Sequence, residues 1–244
     1  MATFAAYFDD SGTHDDATNV VCGGVAGDSQ QMLGLESDWN AVLRMREYDL
    51  DYLHMKEMKS GKGKFAKFQH DLQLQRSLYE RLHALTKIRT KTFGCVVLRS
   101  AFDRIDAEFQ FRERSGSPFV LAASVSVYSL GKWMERYHYS DDLSIVVDKV
   151  HCWGELCSKL NELYGSTPNP GTLRTMPPLQ AADDLAWEMH RANHQMVQKD
   201  FAPRSVRFRG AFDSLMRRFN ADNWVTVYEN DLRMLVDAWG VVRR

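Results

Sequence analysis

The stretch Leu143-Ser144-Ile145-Val146-Val147-Asp148 constrains this chain more than any other. So short and so nearly continuous an apolar run reads as a central strand buried on both faces, and such a strand needs helices on either side of a sheet. The segments around it alternate between strand and helix patterns in an α/β manner. Phe4 to Phe8 and Asn19 to Ala26 predict two strands, and their short joint predicts an antiparallel hairpin. A third strand is expected over Thr90 to Leu98. Helices are expected over Gln31 to Tyr48, over Phe68 to Ile88, over Arg104 to Tyr139 with a break near Ser115-Gly116-Ser117-Pro118, and over Trp153 to Tyr164. The loop Ser166 to Pro178 has room for a short strand around Thr172 to Met176, and Pro177-Pro178 opens a late helix.

With 244 residues, 44% of them hydrophobic, the chain can bury one large core. The expected organisation is an α/β domain over residues 1–198 with a helical insertion at about 104–140, and an extension over 199–244 packed on the same domain. A formal net charge of −1 exerts no global pull toward nucleic acid or membrane, so any polyanion contact must come from a local patch. No basic segment precedes an apolar run near Met1, and the longest apolar stretch, Phe119 to Leu130, is too short to span a bilayer. Cys22, Cys95, Cys152 and Cys157 lack a framework spacing and suit a reducing cytoplasm. His151-Cys152 with Cys157 lacks the second pair that a zinc site needs. His190 and His194 stand four apart, but Arg191 occupies the place where a zinc peptidase needs Glu.

The acids carry the chemistry. In Phe8-Asp9-Asp10-Ser11-Gly12, two carboxylates sit at a strand mouth, which is either a plain turn or half of a metal site. Asp148 closes a later strand. On the late helix, Ala182, Leu185, Ala186 and Met189 mark a buried stripe; Asp183, Trp187, His190 and His194 run beside it, and Asp184 and Glu188 are expected to face solvent. Gln180 shares the side of Asp183. If the first and fourth strands are neighbours, Asp9 and Asp148 are adjacent and a covering helix can add Asp183. Converging carboxylates repel one another, and a hard divalent cation, Mg²⁺ or Mn²⁺, removes that cost. Two such ions about 4 Å apart clamp the attacking and leaving oxygens of a phosphodiester. That arrangement predicts a ribonuclease H-like mixed sheet flanked by helices.

FDDSG, LHMKEM at Leu53 to Met58, VVD ending at Asp148 and LQAADDLAW at Leu179 to Trp187 together resemble the domain of unknown function 3800 family, over residues 3 to 195. The resemblance implies a ribonuclease H-like fold and an enzyme without an established general substrate. By position it implies Asp9, Asp148 and Asp183 as the acids, with Gln180 and His54 beside them. Asp10 stands where the family has Glu, one methylene longer, so Asp10 is a metal ligand only if the shorter side chain reaches.

The function this predicts is a divalent-metal-dependent nuclease or phosphodiesterase acting on DNA or RNA. Its phosphate contacts would come from Lys62 and Lys64 in an exposed loop, Lys59 to Lys64, or from Arg204, Arg207, Arg209, Arg217 and Arg218. A different class, a non-catalytic binding or assembly module on the same fold, fits the near-neutral charge. A haloacid-dehalogenase-like phosphohydrolase needs an Asp two residues after its nucleophile, where this chain has Ser11 or Gly12.

Overall fold

The computed structural model describes residues 4–139, 142–198 and 223–241. Strand β1 (Phe4–Ser11) pairs antiparallel with β2 (Asn19–Asp28), from Phe4 opposite Asp28 to Ser11 opposite Val21, and β2 pairs antiparallel with β3 (Lys91–Leu98). On the other side of β1 lies β4 (Leu143–Asp148), parallel to it, followed by the parallel β5 (Asn169–Gly171). The strand β6 (Trp224–Val227) adds in parallel to β3. The order β5-β4-β1-β2-β3-β6 is that of a ribonuclease H-like mixed sheet, in which an antiparallel meander meets parallel strands at β1. The first and fourth strands are neighbours, as the sequence predicts.

Helices cover both faces. One face carries α5 (Arg99–Phe109), α6 (Phe111–Ser115), α7 (Pro118–Arg136), α8 (Trp153–Tyr164) and α10 (Glu229–Trp239), which share one apolar core with Phe4, Ala6, Phe8, Cys22, Cys95, Ile145 and Val147; α7 lies most directly on the sheet. The other carries α1 (Ser29–Leu43), the short α2 (Met55–Ser60) and α3 (Ala66–His70), α4 (Leu72–Arg89) and α9 (Pro177–Gln198). Strand alternation divides the residues between these faces. Among the described residues no helix is long and apolar enough to cross a membrane.

Local chemistry explains the boundaries. The Asp28 carboxylate accepts from Gln31 N at 2.8 Å while Gln31 Oε1 accepts from Asp28 N at 2.9 Å, a reciprocal cap that turns β2 directly into α1. Ser117 caps α7, and Pro118 occupies its first turn, which fixes the expected break near residue 116.

Several expectations are corrected. The helix expected over Phe68 to Ile88 is two helices, because Asp71 caps Leu74 N at 2.8 Å and starts α4 afresh; Leu72 is consequently exposed. The helix expected to run to Tyr48 stops at Leu43. The short strand lies at Asn169–Gly171, and Leu173–Thr175 forms a 3-10 turn instead. Only one face of β4 is fully buried, through Ile145 and Val147, because α9 lies over β1 and β2 rather than over β4. The loop expected from Lys59 to Lys64 begins inside α2, which ends at Ser60 with Gly61 left-handed at its cap. Asp184 and Glu188 do not face solvent; both are 2% exposed. Phe212, Leu215, Met216 and Phe219, whose spacing in the sequence reads as an amphipathic helix, lie outside the described residues.

Candidate functional site

Parallel pairing of β1 with β4 decides the geometry. Phe8 stands beside Val147 in the register, so the next position brings Asp9 beside Asp148 at the carboxyl ends of both strands. Since Phe8 and Val147 point to the α7 face, alternation turns Asp9 and Asp148 to the α9 face. The cross-strand partner of Asp9 is Gly23, and a Cβ there would lie 2.7 Å from the backbone N of Ala186. This glycine therefore lets α9 ride directly on the sheet beside Asp9. Asp183, three residues before Ala186, shares that side of the helix and is carried to the same mouth. Gly12, with φ of 73°, completes the turn after the acids; any Cβ there would run into Asn19 O and the His190 ring.

Three of the carboxylates, those of Asp9, Asp10 and Asp183, are held by hydrogen bonds. Asp9 Oδ1 accepts from Asp10 N at 2.8 Å, and Asp10 Oδ2 accepts from Thr13 Oγ1 at 2.7 Å. Asp183 Oδ2 accepts from Met55 N at 2.7 Å. Burial first, and then the charges of Asp183, Asp10 and Asp148, push Asp9 well above the usual carboxylate range against its one backbone bond. Burial likewise leads for Asp183, whose pKa rises to about 7, with Asp184, Asp10 and Asp148 adding to it and the Met55 N–H opposing. Asp10 is raised by burial and by Asp148, and pulled back by Thr13, His151 and Lys56. The shorter Asp10 is therefore electrostatically part of the group.

The donor set is all carboxylate, which suits Mg²⁺ or Mn²⁺ rather than zinc. The carboxylates neighbour one another without being closed around a point: among the described residues no three His, Cys, Asp or Glu side chains are arranged to hold an ion as they stand. Mutual repulsion opposes closure in the metal-free chain.

These raised values make stability depend on pH. A carboxyl whose folded pKa lies above its unfolded value stabilises the fold fully below the unfolded value and loses that contribution as pH rises through the folded one. His190 is lowered to about 4, by burial first and then by His14, His194 and Lys59, so it acts in the opposite sense: between about pH 6.5 and pH 8 the unfolded chain loses its His190 proton, which returns about 0.4 kcal/mol of stability. Raising the metal-free protein from about pH 6.5 to about pH 8 is expected to remove about 1 kcal/mol through Asp183 alone. Urea unfolding at the two pH values measures this, and Asp183→Asn should shrink the difference while leaving the share of Asp9, which is raised in the same sense.

Two expected site residues occupy other roles. Gln180 is 1% exposed; its Oε1 accepts from Trp39 Nε1 and Leu53 N, both at 2.9 Å, and its Nε2 donates to Leu173 O at 3.0 Å. Of the two roles open to Gln180 from the sequence, capping a backbone group or orienting a phosphate or a metal-bound water, these contacts are of the first kind. Gln180 fixes Leu53, two residues before the Met55 amide that holds Asp183. His54 Nδ1 lies 3.3 Å from Glu57 Oε1, in a group with Tyr52 and Arg174, rather than on a strand-end acid.

The expected phosphate contacts also shift. Lys64 is paired with Asp51 at 2.9 Å, Lys62 is exposed beside it, and Arg204 to Arg218 lie outside the described residues. Besides Thr13, the side chains that favour the charged form of Asp10 are His151 and Lys56, neither of which the sequence assigned to the site. Neither carries a local signal, since only the fold brings them to β1. Cys152 and Cys157 are free thiols.

No family profile and no curated protein matches this chain. Among solved structures, it is similar to Bst-RNase HIII in complex with Mn²⁺, at a TM-score of 0.47 and 12% identity over 97% of this chain and 71% of that one. It is also similar to RNase HII of Archaeoglobus fulgidus, solved with PCNA, at a TM-score of 0.43 and 14% identity over 98% of this chain and 91% of that one. The ribonuclease H-like description of the fold stands on strand order and direction, which these two likenesses accompany.

Proposed function

We propose that this protein is a divalent-metal-dependent hydrolase of phosphodiester bonds in nucleic acid. The observation that supports it is the meeting of Asp9, Asp10, Asp148 and Asp183 at the carboxyl ends of two adjacent parallel strands, with burial and mutual repulsion raising three of them. Four acids gathered in one place are unfavourable to the fold alone, since Asp9, Asp10 and Asp183 stay raised even with His151 and Lys56 acting on Asp10, and a hard cation resolves that. Asp9, Asp10, Asp148 and Asp183 would hold Mg²⁺ or Mn²⁺, which when bound neutralises charge on the phosphate and lowers the pKa of water.

The chain's own residues do the remaining work. Met55 N fixes the rotamer of Asp183, Asp10 N fixes that of Asp9, and Thr13 fixes that of Asp10, so the ligands are oriented before substrate arrives. Lys56 beside Asp10 offers a positive group for a phosphate approaching the acids. The resemblance to the domain of unknown function 3800 family agrees with this assignment of the acids. The test is incubation of the purified chain with single- and double-stranded DNA and RNA, with and without millimolar Mg²⁺ or Mn²⁺. Cleavage that appears with metal and stops with chelator is expected; absence of both metal binding and cleavage leaves a non-catalytic module on the same fold.

A further inference from the structure

Against the acids lies a second feature that the hydrolytic reading does not use. A cavity of about 170 Å³ opens between α2, α3, α4 and α9. Its walls are mixed: Met55, Met58, Phe68, Leu72, Tyr79 and Trp187 supply apolar and aromatic surface, and Lys59, Gln69 and Gln75 supply polar surface. Met55 belongs to both places, since its amide holds Asp183 at 2.7 Å while its side chain lines the cavity. Trp187 stands one turn beyond Asp183 on α9. The cavity is therefore within a residue's width of the carboxylates.

Polar groups stand at its border. Lys59 Nζ lies 5.1 Å from the centre of the Trp187 ring, and Gln75 contributes an amide to the lining. Lys56, one turn before Lys59 on α2, acts on Asp10. An aromatic-walled cavity with an amide in its lining and cations on the path to the acids matches a planar heteroaromatic ring tethered to phosphates. In a duplex the bases are stacked and paired, so a ring reaches such a cavity only from an unpaired strand or after extrusion.

We propose that this cavity receives one unstacked nucleobase of a single-stranded polynucleotide, with the adjoining phosphates on Lys59 and Lys56. The inference rests on the phosphodiester reading and adds to it the strandedness of the substrate. The base stacks on Trp187, its edge meets Gln75, and the next phosphodiester lies toward Asp183.

Binding separates this from turnover. Fluorescence anisotropy with the Asp148→Asn variant in chelator, using labelled single-stranded DNA, single-stranded RNA and the matching duplexes, removes hydrolysis from the measurement. Single strands should bind at least about tenfold tighter than duplexes, and the DNA and RNA arms identify the sugar. Trp187→Ala, which removes the stacking face, and Gln75→Trp, which fills the cavity from a half-exposed position, should each weaken single-strand binding about tenfold. Lys59→Ala should reduce the salt slope by about 0.7. Circular dichroism checks that each variant is folded, and Trp187→Phe should retain most of the affinity. Equal affinity for duplexes, no binding of any polynucleotide, or parent-like binding by both folded Trp187→Ala and Gln75→Trp would overturn the proposal. Absence of metal-dependent cleavage alongside the expected binding pattern rejects the hydrolase reading and leaves this site standing.

Discussion

Asp9→Asn, Asp148→Asn and Asp183→Asn are each expected to reduce metal-dependent cleavage by at least about a hundredfold while leaving affinity for the polynucleotide nearly unchanged, as for groups that act in the transition state. The substitutions are conservative in shape, and at position 183 an Asn oxygen still accepts the Met55 N–H. In the metal-free state each variant should be at least as stable as the wild type, because one of the charges that repel Asp9 and Asp183 has been removed or its own buried charge has been neutralised. Addition of Mn²⁺ at about a hundred times its dissociation constant should stabilise the wild type by about 2.7 kcal/mol, and the three variants should lose most of that response. Asp16→Asn, on a side chain 92% exposed, serves as the control and should follow the wild type in melting and turnover. Parent-like cleavage by Asp148→Asn would remove the strand-end acids from the chemistry.

Asp184→Ala should behave in the opposite way, losing stability first. Asp184 Oδ2 and His83 Nε2 meet at 2.6 Å with side chains 3% and 5% exposed, joining α9 to α4. Removing one partner of a buried pair leaves the other without its counterpart, a loss of about 3 to 5 kcal/mol. For a chain of this size that lowers the melting temperature by on the order of 10 °C. His83→Ala should cost about the same, and the double variant Asp184→Leu with His83→Phe should recover much of it, since an apolar pair leaves no unpaired charge. A calorimetric scan of the three variants checks this. Near-additive losses in the double variant would show that the pair is not the source of the effect.

This pair also shows where the sequence stops being legible. Asp9 and Asp148 could be read because a carboxylate that ends an apolar strand marks the strand's mouth, and parallel neighbours share their mouths. Asp183 could be read because it borders a stripe of Ala182, Leu185, Ala186 and Met189 that is indeed buried. The same reasoning misplaced Asp184 and Glu188, since an amphipathic pattern assumes one buried side, whereas α9 is enclosed by the sheet and by its helical neighbours. Gln180 shares the side of Asp183 as expected, but its partners Trp39, Leu53 and Leu173 are distant in sequence and nothing local announces them. The approach of Lys56 and His151 to Asp10 is likewise a product of topology. The split at Asp71 was written in the chain as a cap, but the apolar periodicity on either side hid it.

The pairing of β6 with β3 has a consequence for how the chain is made. Gly94 to Val97 are the core of an interior strand only because Trp224 to Val227 lie against them, and more than a hundred residues separate the two partners. During synthesis β3 can pair with β2 at once, while its outer edge waits until Trp224 to Val227 have emerged. For that interval the nascent chain presents an apolar strand with unmet amides and carbonyls, a template for another copy. The late arrival of β6 makes this pairing a long-range closure, slow by its loop length, and an early strand gains its permanent neighbour only after more than a hundred further residues have been made.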